Sequence, residues 1–86
     1  MLEVGVSVPV DREDWSDLEH EIRDEFGPEG DTGCGLGYSD TSFPVKSRKE
    51  GKSLKQQIWT YLYNKGIPVG DTPEYINDGK TVIVAF

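Results

Sequence analysis

The sequence predicts one small α+β domain, a short and mainly antiparallel sheet with two amphipathic helices packed on one face. Three observations predict it. Residues 2–10 alternate apolar side chains with small or polar ones. Two later stretches, 12–26 and 48–65, repeat apolar residues at helical spacing between start and stop signals. A near-continuous apolar run, 81–86, follows an Asn-Asp-Gly turn signal.

The first strand is the clearest element. Leu2, Val4, Val6, Val8 and Val10 share one parity, and Glu3, Gly5, Ser7 and Pro9 the other. Period two over this length marks a half-buried strand. Pro9 has no N–H for a ladder, so the strand ends there or runs along an edge. Asp11 then reads as a helix N-cap, with Glu13 and Asp14 placed where the helix dipole favours negative charge. Trp15, Leu18, Ile22 and Phe26 make one apolar stripe, and Gly27-Pro28 is a stop signal.

Residues 29–35 read as loop. Residues 34–45 form either one long strand with a bulge near Asp40 or a tight hairpin, and the glycines at 35 and 37 fit both. Ser47 and Glu50 make a capping box for the second helix, which runs to about residue 65. Leu54, Ile58, Tyr61 and Leu62 form its core stripe, and Trp59 and Tyr63 lie to one side of it. Gly66 and Pro68 end it. Residues 74–76 and 80–86 then read as a hairpin about Asn77-Asp78-Gly79. Continuous apolarity over 81–86 points to a central strand buried on both sides, or one covered by a partner. The element order alone is close to a ferredoxin-like plan, which says nothing by itself about function.

Size and composition exclude several classes. At 86 residues the chain is one domain with a small core, which two Trp, four Tyr and three Phe can supply. A net charge of −7 argues against direct nucleic-acid binding and favours basic partners. One cysteine, Cys34, excludes an internal disulfide, and with one histidine, His20, it makes no zinc cluster. No metal or cofactor is expected. No apolar run approaches membrane-spanning length and no secretory signal opens the chain, so a reducing cytosol is the expected compartment.

Charge is sorted along the sequence. Eight of the 16 acids fall between residues 11 and 25, opposed there by Arg12 and Arg23. Glu13, Asp14, Asp17, Glu21, Asp24 and Glu25 are the candidate acidic face. Carboxylates in such a row can copy a phosphate backbone and occupy a basic groove. A row of this kind is also an ordinary solvated face in most proteins. Five of the nine basic residues, Lys46, Arg48, Lys49, Lys52 and Lys55, cluster at the start of the second helix. Cations there oppose the dipole, which hints at a contact with the acidic helix of this chain or of a second copy. Trp59 and Tyr63 are the candidate aromatic contact pair, unless the small core needs both.

The catalytic motifs are weak. Gly51-Lys52-Ser53 resembles the tail of a phosphate-binding loop, but the earlier glycine of that pattern is replaced by Lys46. The glycines at 33, 35 and 37 have neither the spacing nor the following helix of a dinucleotide fingerprint. Gly35 and Gly37, with Gly5 and Ser7, point instead to a flat outer sheet face, either open to a partner or simply a thin solvent face. His20 sits among Glu19, Glu21 and Asp24, a poor setting for a general base, and a lone Cys34 is more often a core residue than a nucleophile.

The expectation is therefore a small, acidic, non-enzymatic protein-binding module. It would be a regulator or inhibitor that occludes a basic nucleic-acid-binding site, as DNA mimics and small phage anti-defence proteins do. The alternatives are a self-assembling structural component, with a homodimer as its simplest form, and a small Cys34-dependent enzyme.

Overall fold

The computed structural model describes residues 2–27, 31–35, 37–70 and 79–86, with the backbone alone at 31, 32, 34 and 35. The chain runs β1 (Leu2–Pro9), α1 (Trp15–Phe26), β2 (Asp31–Gly35), β3 (Tyr38–Val45), α2 (Arg48–Asn64), β4 (Val69–Gly70) and β5 (Val82–Ala85). One sheet holds all five strands in the order β2-β3-β1-β5-β4. The pairings of β1 with β3, β1 with β5 and β2 with β3 are antiparallel. The pairing of β4 with β5 is parallel, so the sheet is mixed. The architecture is a small α+β domain.

Register explains the core. Val4 lies opposite Phe43, and Val6 lies between Thr41 and Val84, so these side chains share one face. Leu18 and Ile22 of α1 and Ile58 and Leu62 of α2 close over that face, each at most 2% exposed. Burying such a side chain stabilises by about 1.5–3 kcal/mol, and these are the chain's main folding contacts. The alternation of β1 thus puts its valines under both helices. On the far face lie Gly5, Ser7, Ser42 and Ala85, and a Cβ built at Gly5 or Gly33 would meet nothing within 4 Å. The far face is thin there, as the glycines suggested. Ile83 shares it by pairing with Ser7 and is buried, so β5 is apolar on both sides.

The second helix is bounded as its sequence implies. The Ser47 hydroxyl accepts from the Glu50 N–H at 3.1 Å, and the Glu50 carboxylate reaches back to the Lys46 N–H at 3.3 Å. At the other end the Gly66 N–H donates to the Tyr63 carbonyl and the Ile67 N–H to the Leu62 carbonyl. This is a Schellman motif, which needs the left-handed backbone Gly66 adopts at φ +77°. Ile67 and Leu62, joined by that bond, both enter the core.

Several expectations are corrected or moved. α1 starts at Trp15, not residue 12, because Asp14 rather than Asp11 occupies the N-cap position. The Asp14 carboxylate does not cap the helix. Arg12 binds it at 2.9 and 3.1 Å and also donates to the Lys80 carbonyl at 2.9 Å, tying residues 11–14 to the approach of β5. Residues 31–35, expected as loop, are the strand β2, which pairs antiparallel with β3, and Gly37 at φ +82° is a turn residue rather than part of the outer face. Asp40 sits mid-strand, where its carboxylate accepts from the Ser7 hydroxyl at 2.6 Å. Beside Val82 and Ile83, β5 pairs with β1 and with the parallel β4. The strand expected at 74–76 lies outside the described residues.

Candidate functional site

α1 turns Leu18 and Ile22 into the core, which leaves the other side of the helix to its acids. Glu13, Asp14, Asp17, Glu21, Asp24 and Glu25 are all exposed. Glu19 leans toward the sheet instead, where the buried Ser39 hydroxyl donates to its carboxylate. Asp17 and Glu25 each lie four residues from Glu21, and Asp24 lies three away, so like charges meet along the helix. Each such pair costs an isolated helix about 0.2–0.5 kcal/mol.

Two cations reach this face from elsewhere. Arg12 holds Asp14, and its hydrogen bonds keep that carboxyl below the ordinary value of 3.8. Lys65, at the C-terminal end of α2, binds Glu21 at 2.7 Å and lies 5.2 Å from the Tyr61 ring centroid. The hydrogen bond to Glu21 raises the Lys65 ammonium above its ordinary value of 10.5. Lys65 was not among the candidates, although a cation at the C-cap of a helix is a recognisable signal.

The basic cluster sits elsewhere. Lys46, Arg48, Lys49 and Lys52 are exposed and Lys55 is half-buried, all around the N-terminal half of α2. Lys65 pairs with Glu21 of α1 at the opposite end of α2. Gly51-Lys52-Ser53 lies inside α2, so it is no phosphate loop. Gly51 is buried there because the Phe86 ring lies against its backbone, leaving no room for a Cβ.

Trp59 and Tyr63 stack along α2 with centroids 6.4 Å apart and planes at 17°. Trp59 is half-buried against the core, whereas Tyr63 is 68% exposed. The pair therefore divides between the two roles weighed for it. His20 is exposed on α1, and Cys34 pairs with Ser39 by backbone register, its side chain lying outside the described residues. Among the described residues no group of three or more His, Cys, Asp or Glu could hold a metal.

A hollow of about 620 Å³ opens between the end of α1 and the start of α2, with Phe26, Phe43 and Leu54 as apolar lining and Ser47, Glu50 and Gln57 as polar lining. It escaped the sequence reading because its aromatics come from an α1 terminus and from β3. Among the described residues, no helix is long and apolar enough to cross a membrane. The chain matches no protein-family model, no curated protein and no solved structure.

Proposed function

We propose that this protein is a small non-enzymatic regulator or inhibitor that acts by protein contact in the cytosol, its α1 carboxylates occupying a basic nucleic-acid-binding site. One observation carries the reading: Asp17, Glu21, Asp24 and Glu25 on α1, and Glu13 and Asp14 just before it, are all exposed, on a helix whose other side is held in the core. The three like-charge contacts at Glu21 amount to about 1 kcal/mol of repulsion, of which Lys65 offsets part and a basic partner would relieve the rest. A rigid helix also holds the charges at fixed spacing, and fixed charge is what complementarity to a basic groove requires.

The fold reading is a variant of the ferredoxin-like plan. Its support is the order β2-β3-β1-β5 among the four longer strands, with antiparallel neighbours throughout. The two-residue β4, parallel to β5, is an addition to that plan.

The test is capture of nucleic-acid-binding proteins on immobilised protein. Captured proteins should elute with duplex DNA and by about 0.5 M salt, where exposed charges are screened within a few ångströms. Asp17→Asn with Asp24→Asn should capture far less. Capture unchanged by 0.5 M salt, or by the neutralised variant, refutes charge mimicry.

A further inference from the structure

We propose that the outer flank of α2 docks a second copy of this chain, taking the carboxylate face of that copy's α1. Arg48, Lys52, Lys55, Trp59 and Tyr63 recur at helical spacing and form one stripe. The stripe faces away from α1 of its own chain. Tyr61, on the α1 side, meets Phe26 edge-on at 5.4 Å, whereas Lys52 borders two hollows on the other side. One, of about 590 Å³, is lined by Leu2, Glu3, Arg48 and Phe86. The other, of about 450 Å³, is lined by Lys55, Gln56 and Trp59. Among the described residues, the exposed large hydrophobics are Leu2, Tyr63 and Phe86. Two of them line this strip and the third stacks on Trp59 at its end. The flank is therefore an apolar strip edged by cations, with the Glu3 carboxylate beside Arg48 and Lys52, and exposed apolar groups gathered in this way mark a docking surface.

Charge spacing identifies the occupant. Arg48, Lys52 and Lys55 stand at steps of four and three residues, and so do Asp17, Glu21 and Asp24. At 1.5 Å per residue both rows span about 10 Å, so parallel helices bring every cation opposite a carboxylate. In that register Arg48 meets Asp17, Lys52 meets Glu21 and Lys55 meets Asp24, and the Arg48–Asp17 pair stands whatever Lys55 and Glu21 do within their own chain. Because flank and ligand are different surfaces, the contact is heterologous, and a docked copy still offers one of each. Assembly continues past the dimer.

The net charge of −7 opposes this contact over long range, and salt separates the two effects. With shorter extents of 25 and 22 Å, two copies sit with centres about 25 Å apart. A Debye length of about 30 Å at 0.01 M leaves their mutual repulsion in force, and one of about 8 Å at 0.15 M removes most of it. At 1 M, about 3 Å, the contacting pairs are screened as well. Association should therefore peak near 0.15 M salt.

Sedimentation equilibrium of the whole chain tests this. At 0.15 M salt and up to about 1 mM protein, the average mass should pass twice 9.6 kDa, with association at least tenfold weaker at 0.01 M and at 1 M. Arg48→Gln with Lys52→Gln should stay monomeric, as should Asp17→Asn with Asp24→Asn. Mixed in equal amounts, the two variants keep one good flank and one good acidic face, and should stop at a dimer. A wild-type monomer throughout, or a mixture that does not pair, overturns the proposal. Either result leaves the capture of basic proteins untouched, because that reading needs only the open α1 face.

Discussion

The packing of Phe86 on Gly51 sets up a contest whose sign the structure decides. In Gly51→Ala, the new methyl gains about 1 kcal/mol in helix propensity over glycine. The same methyl displaces the Phe86 ring, because a Cβ at 51 falls within that ring's van der Waals envelope. Phe86 is 41% exposed, so more than half of its surface is at stake. With full burial of such a side chain at about 1.5–3 kcal/mol, expelling it costs about 1–2 kcal/mol. The loss is the larger, and Gly51→Ala should be neutral to about 1 kcal/mol destabilising. In a Phe86→Ala background the ring is gone and the same change should stabilise by about 1 kcal/mol. Urea unfolding followed by Trp15 and Trp59 fluorescence reads both, provided the m-value is constant. Equal effects in the two backgrounds, within about 0.5 kcal/mol, would refute the contact. A confirmed contact would also fix one wall of the α2 flank.

Other expectations follow from the same geometry. Ile58→Ala removes a fully buried side chain beneath the sheet and should cost about 2–5 kcal/mol by the same urea assay. Ser47→Ala removes the acceptor for the Glu50 N–H and should cost about 1 kcal/mol, with Ser47→Asp nearly neutral. Lys65 is raised above 10.5 in the folded state, so its contribution is whole below that pH and is lost as pH rises through the folded value; Lys65→Met should flatten that alkaline fall in the urea midpoint. Asp14 is lowered below 3.8, so its contribution holds above that pH and is lost as pH falls through the folded value; Arg12→Met should remove that acid-side loss.

Much of the fold was legible because short-range rules governed it. The valines of β1 declared a face, and Ser47, Glu50 and Gly66 declared both ends of α2. The start of α1 was misplaced because Asp11, Glu13 and Asp14 all suit a helix start, and the choice is made by Arg12 bonding to Lys80, 68 residues away. β4 is two residues long, too short to show a period, and exists because the chain leaving α2 runs beside Val82 and Ile83. Of the bulged strand and the hairpin weighed for residues 34–45, β2 and β3 pair as the hairpin, and Asp40 keeps strand register, its carboxylate held across the sheet by Ser7. At the candidate site, the exposure of the α1 acids was readable from helical spacing. The Glu19 contact with Ser39 and the reach of Lys65 to Glu21 depend on tertiary placement and were not.

Carboxyl footprinting tests the display of charge on α1 most directly. The folded protein is treated with a carbodiimide and an amine, and modification is read residue by residue by mass spectrometry. Asp17, Asp24 and Glu25 should react fast and Glu19, held by Ser39, several times more slowly. Protection of Asp17 and Asp24 to the level of Glu19 in dilute monomer would contradict an open acidic face, and with it the partner chemistry built upon it.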